Sequence, residues 1–188
     1  MRPGEYYNGR VIALQDDLKL LTKKRTMLAW LRFAVVTGII ACCYFFLPFG
    51  LLFCIIPGIL LLFLFTRLIF ADLNNKSLIE HTKKLLTVNE NELKALSHNY
   101  YHFAEGREYI PKEHFYANDL DIFGHASLYQ YMNRTGSEMG SSTLAEWLSN
   151  PSNAEIIIER QAAVNELAIQ TAWRQQLQAF GAEEKIQK

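Results

Sequence analysis

The chain has 188 residues, of which 50% are hydrophobic, with 19 Lys/Arg balanced by 19 Asp/Glu for a formal net charge of zero. A balance of this kind excludes a protein that grips nucleic acid through an overall basic surface, and three cysteines exclude a disulfide-built scaffold. The average hides a partition, because residues 1–32 carry seven Lys/Arg against three Asp/Glu, residues 33–66 carry no charge, and residues 67–188 carry twelve against sixteen.

Residues 1–26 read as an amphipathic arm. Val11, Leu14, Leu18 and Leu21 recur at steps of three and four, the narrow apolar seam of a coiled-coil-like helix, with Gly9 as its expected start.

Residues 27–71 read as a transmembrane helical hairpin. The 34 uncharged residues 33–66 are closed by Arg32 and Arg67. As one straight helix they would measure roughly 50 Å, well beyond a hydrocarbon core of about 30 Å. The chain therefore folds back, and Leu47-Pro48-Phe49-Gly50 supplies the break, giving expected spans at 27–47 and 51–71. A run this long and doubled does not fit a cleaved signal peptide. Lys19, Lys23, Lys24, Arg25 and Arg32 before the first span, with Arg67 and Lys76 after the second, place both termini on the cytoplasmic side and a short loop outside. The basic residues near the membrane suit topology and anionic lipid. Cys42, Cys43 and Cys54 lie inside the apolar run and read as small buried thiols, neither a disulfide framework nor a metal site.

Residues 72–98 form a second amphipathic helix, with Ile79, Leu86 and Leu93 seven apart and Leu96 three further on. Its seam either zips antiparallel onto that of the first arm, pairs with a second molecule, or packs on the rest of the protein. Residues 99–118 are an aromatic linker in which Gly106 and Pro111 stop the helical pattern.

From 119 to 188 the periodicity is helical again. Leu128, Tyr131 and Met132 share one side of a helix at 127–133, and Leu144, Trp147 and Leu148 share one side of another at 142–149. Asn150-Pro151 ends that helix. Ser152 and Glu155 have the spacing of a capping box for the next, whose apolar face is Ile156, Ile157, Ala163, Val164 and Leu167. Trp173, Leu177 and Phe180 continue the pattern to Gly181, the expected C-terminal stop. The fold class expected is all-α, with no βαβ rhythm.

"SLYQYMNRTGSEMGSSTLAEWLSNP" followed by "IIIERQAAVNELA" resembles the core helical (lever) region of the DNA mismatch-repair family MutS. Asn133, Thr135, Gly140, Leu144, Trp147, Leu148, Pro151, Arg160, Gln161, Ala163, Val164 and Leu167 follow the family pattern in order, with Ser137 where a second Thr is common and Ser142 where an Arg is common. The lead-in "EGREYIPKEHFYANDLDIFG" behind a membrane hairpin is similar to a membrane-anchored subgroup found in bacteria, which implies the inner (cytoplasmic) membrane. The matched residues are scaffold types: Gly140 permits a turn, Trp147 and Leu148 fill a core, and Pro151 ends a helix. On this resemblance residues 119–188 are an incomplete MutS-like core. ATP with Mg and DNA (mismatch) binding are implied only for the complete family protein, and no cofactor is implied for this chain. It lacks the G-x-x-x-x-G-K-[ST] phosphate loop of the family ATPase, so it is expected not to be an enzyme. The hairpin stands where the family's mismatch-reading domain would be. Phe103-Ala104-Glu105 reproduces that domain's bare F-x-E pattern without its surroundings.

Other chemistry is weaker. His98 and His102 would share one face of a helix as zinc ligands do, and His114 and His125 add no metal-binding spacing. Asn133-Arg134-Thr135 fits a glycosylation acceptor but lies on the cytoplasmic side of the expected topology. Asp119/Asp121 and Glu183/Glu184 read as solvated surface. The expected function is thus the membrane anchor and helical scaffold of a MutS-type protein, with the bilayer as partner, a homodimer through the seams, and DNA only through the complete protein. The alternative is a non-enzymatic membrane adaptor or dimerisation module. A subunit of a transport complex is disfavoured by the lack of charge between Arg32 and Arg67.

Overall fold

The computed structural model describes residues 2–46, 51–110 and 119–184. Among these the protein is all-α: α1 (Pro3–Phe46), α2 (Leu51–Leu96), a 3-10 turn (Arg107–Tyr109), α3 (Leu128–Met132), α4 (Glu138–Ser149), α5 (Ala154–Ala168) and α6 (Thr171–Glu184). Each arm and its span form one continuous helix. Gly9 is not a start, since α1 begins at Pro3, a residue suited to a first helical turn. The expected break at Leu47 to Gly50 and residues 111–118 of the linker lie outside the described residues.

The chain divides into two compact units, residues 13–83 and residues 1–12 with 84–188. In the first, α1 and α2 lie side by side. Leu14, Leu28, Val35 and Ile79 are buried between them, as the arm seams require. Polar groups fix the register: buried Asn75 donates from Nδ2 to the Leu21 carbonyl at 3.0 Å, and Asp72 lies 3.2 Å from Arg32 and 3.9 Å from Arg25. Both helices are long and apolar enough to cross a membrane. The apolar side chains turn outward, Trp30, Phe33, Ile40, Ile56, Leu60 and Phe63 all being exposed. The hydroxyls of Thr37 and Thr66 donate to carbonyls of their own helices at 2.9 and 2.8 Å, so neither is left bare in an apolar setting. Pro57 stands inside α2 without ending it. Cys42 and Cys43 are free thiols, Cys43 exposed on the helix surface.

In the second unit two serines start the short helices. Ser127 Oγ accepts from Gln130 N at 3.2 Å to cap α3, and Ser137 Oγ accepts from Gly140 N at 3.1 Å to cap α4. Several expected details are corrected here. Gly140 makes no turn; it sits in the first turn of α4, where its N–H takes the cap. The buried side of α3 is Tyr129 and Gln130, leaving Leu128, Tyr131 and Met132 exposed. Ser141 and Ala145 are the buried residues of α4, while Trp147 is exposed and Leu144 and Leu148 are half-buried. Ser141 is held inward by hydrogen bonds, its hydroxyl 2.6 Å from Thr135 Oγ1 and its carbonyl accepting from Tyr129 Oη. α5 has no buried residue, so Ile156, Ile157, Ala163 and Val164 face outward and Leu167 is only half-covered. Ser152 does not form a capping box: Asn153 is the N-cap of α5, and the Ser152 hydroxyl accepts from Arg160 at 3.0 Å. On α6 the buried residues are Gln175 and Ala179, with Trp173, Leu177 and Phe180 exposed. Gly181 is not a stop, because α6 runs on to Glu184.

Candidate functional site

Three of the family-pattern residues, Asn133, Thr135 and Gly140, meet in a polar knot between α3 and α4. Asn133 Oδ1 accepts from the Thr135 N–H at 3.1 Å and from its hydroxyl at 2.7 Å, a local turn closed by one buried amide. Thr135 Oγ1 also lies 2.6 Å from Ser141 Oγ, and Tyr129 Oη donates to the Ser141 carbonyl at 3.2 Å. Burial raises the Tyr129 hydroxyl above its ordinary pKa, against the hydrogen bond to Ser141. The knot is anchored on the aromatic segment by Gln130, whose Nε2 donates to the carbonyls of Phe103 at 2.8 Å and Tyr101 at 3.1 Å while its Oε1 accepts from Ala126 N at 2.8 Å. A buried amide so fully used specifies one loop path.

Gly106 lets that path pass. Its φ of 66° is left-handed, and a Cβ there would lie 2.6 Å from the Tyr129 ring. Beyond it Glu105 accepts from Arg107 and lies 3.4 Å from His125, whose ring stacks on Tyr101. The hydrogen bond from Arg107 holds the Glu105 carboxyl below its ordinary range. The F-x-E residues are thus joined to loop contacts: Phe103 lies under the Arg134 guanidinium at 3.9 Å and Glu105 sits in its ion pair.

Arg134 joins α2 to this knot. Its Nε donates to Glu92 at 2.6 Å, and Nη1 donates to the carbonyl of Tyr131 at 2.7 Å. Nearby, Gln175 of α6 donates from Nε2 to Asn89 Oδ1 on α2 at 2.8 Å, and both residues are buried. These contacts bound a half-open, mainly apolar cavity of about 690 Å³, lined on its polar side by Tyr7, Glu92, Arg134, Thr135, Arg174 and Gln175. Burial, with Glu92 nearby, raises the Tyr7 hydroxyl above its ordinary pKa.

Residues 114–185 match the family model of MutS domain III. This part of the chain is a MutS-related helical region, and the Asn133 knot, the α4 cap and the α5–α6 pair belong to it. No curated protein and no solved structure matches the chain.

Within the MutS-related region the sequence-predicted residues separate into two groups. Asn133, Thr135 and Gly140 come together in the knot. Trp147 and Arg160 meet elsewhere, the guanidinium 4.0 Å above the indole ring, with Gln161 next to them on the open surface of α5. Leu144 and Leu148 line α4, and Pro151 follows its C-cap, Asn150. The histidine pair is not on one helix: α2 ends at Leu96, and His98 has a left-handed φ of 61°. Among the described residues no three His, Cys, Asp or Glu side chains are grouped as metal ligands. The pairings Glu92–Arg134 and Asn89–Gln175 escaped the sequence reading. A signal was present for Asn89, which falls two heptads after Asn75 on α2, a polar residue at an apolar spacing.

Proposed function

We propose that this chain is the membrane anchor and helical scaffold of a MutS-type protein, itself without catalysis, with ATP hydrolysis and DNA contact belonging to the complete protein. The observation that carries the reading is that one helix belongs to both roles. The C-terminal part of α2 is clasped to the MutS-related region through Asn89–Gln175 and Glu92–Arg134, and the N-terminal part of the same helix is the uncharged apolar run. In the complete protein the MutS-related helices of this scaffold would carry nucleotide state between ATPase and binding surface. Both termini face the cytoplasm in this reading, on the strength of the basic residues flanking the apolar run.

The adaptor alternative needs free seams for a second molecule. Leu14, Leu28 and Ile79 are already buried within the chain, which favours the anchor. The test is fractionation of native membranes with an antibody against α5. The anchor reading expects a polypeptide well above 21.7 kDa that resists alkaline carbonate. Release by carbonate refutes the anchor, and a band at 21.7 kDa in the membrane refutes the attached ATPase.

A further inference from the structure

The cations at the charged end of the helical hairpin are not shared equally between its two flanks. Seen down α1 at about 100° per residue, Arg25 and Arg32 lie about 60° and 40° to one side of buried Leu28, and Lys24 and Lys23 about 40° and 140° to the other. On α2, Asp72 lies about 60° to one side of buried Asn75, and Arg67 about 80° to the other. Asp72 reaches Arg32 at 3.2 Å and Arg25 at 3.9 Å, so these three share one flank. Lys23, Lys24 and Arg67 therefore share the opposite one.

The flanks also differ in how their charge is met. On the first, Asp72 answers Arg25 and Arg32, and Glu80 lies 3.9 Å from Lys76. On the second, Lys23, Lys24 and Arg67 are exposed and form no ion pair among the described residues. Trp30 follows Lys23 by seven positions on the same face and is 68% exposed, with Met27 and Leu31 also exposed beside it. A rule of charge and topology accounts for the number of cations but is indifferent to the flank on which they stand. The occupant has to answer three positive charges and an indole at the edge of the charge-free run. An acidic protein segment meets the first need alone. A phospholipid of negative charge meets both, since long basic stems reach its phosphate while tryptophan favours the interface beneath. Resting on the anchor reading above, we infer that the flank bearing Lys23, Lys24, Trp30 and Arg67 is a binding face for an anionic phospholipid, with the phosphate on the cations and the glycerol backbone against the indole.

The test uses the full chain with Trp147→Phe and Trp173→Phe, which leaves Trp30 as the reporter. It is reconstituted in vesicles of phosphatidylcholine and phosphatidylglycerol, with acyl-chain bromine on one lipid or the other, and quenching of Trp30 gives the relative association of the two. Phosphatidylglycerol is expected to be preferred at least about threefold. Lys23→Gln with Lys24→Gln should bring the ratio close to one. Lys19→Gln with Lys76→Gln removes the same charge from side chains already met by Asp16 and Glu80, and should leave the ratio unchanged. A native ratio of about one, which would leave this flank to an acidic protein segment, overturns the inference. Equal loss in the two double variants also overturns it, since the preference would then belong to overall charge. Absence of quenching by either brominated lipid refutes the anchor reading itself.

Discussion

Replacing the buried pair Asn89 and Gln175 with leucine, singly and together, gives an unequal set of outcomes that follows from which atoms are already satisfied. In the native chain Gln175 Nε2 donates to Asn89 Oδ1 at 2.8 Å, Asn89 Nδ2 donates to the Leu85 carbonyl at 2.7 Å, and Gln175 Oε1 is buried without a partner among the described residues. Asn89→Leu newly strands the Gln175 N–H and is expected to cost about 1–3 kcal/mol. Gln175→Leu strands Asn89 Oδ1 but removes the orphaned Oε1, so its two terms cancel to about zero. The double variant leaves no stranded group and gives up one net hydrogen bond, about 1 kcal/mol, against relief of an orphan of equal or larger cost. It is expected to match or exceed the native protein, with a coupling of at least about 1–3 kcal/mol between the two sites. Urea unfolding of the full chain in detergent, followed by tryptophan fluorescence with Trp173 two residues from Gln175, measures the set. Equal costs for the two single variants, or a double variant showing their simple sum, would refute the reasoning.

Other expectations concern the loop and the knot. Gly106→Ala should destabilise by about 2–4 kcal/mol, combining the left-handed backbone with a ring contact at 2.6 Å, while Gly140→Ala should fall within about 1 kcal/mol because its helical backbone welcomes alanine and its nearest contact is the Ser137 hydroxyl. Thermal melts of the two variants side by side decide this. Asn133→Ala removes the acceptor of both Thr135 bonds and should cost about 1–3 kcal/mol, with faster amide exchange at Thr135 as the local readout. Glu105 has a depressed carboxyl pKa, so its contribution is present above the unfolded value and is lost as pH falls through the folded one. Exchange protection at Gly124, whose N–H donates to the Glu105 carbonyl, should therefore weaken only below the ordinary carboxylate range, and Glu105→Gln should abolish that pH dependence.

The helix content was legible and the seams in part, because periodicity reports which face of a helix is covered: Val11, Leu14 and Ile79 are buried and Leu18, Leu21, Leu86 and Leu93 half-buried, whereas Leu96 is exposed and Leu85, Val88 and Ala95 are the buried apolar residues at that end of α2. The MutS-related stretch was legible from its spaced residues, and the family match begins at residue 114. What the periodicity misjudged were the faces of α3, α4 and α6. There the large apolar residues lie outward, and Gln130, Ser141, Gln175 and Ala179 lie inward. A buried amide with three good partners satisfies the interior as well as a leucine does, and no hydrophobicity pattern distinguishes it from a surface residue. The clasp from α2 to α6 was equally hidden, since it joins positions 89 and 175 through tertiary packing alone.

Gly136 and Gly181 meet backbone to backbone, so that a Cβ on either would stand 3.0 Å from the Cα of the other. Most contacts in a protein can drift during descent, because a larger residue on one side is met by a smaller one opposite. This one has no such route: the obstacle is main chain, and glycine is already the smallest side. Asn89 and Gln175 can be exchanged together for an apolar pair, but Gly136 and Gly181 have no joint substitution that restores the fit. Among descendants of this fold, the first pair is where covariation belongs and the second is where both letters stay fixed.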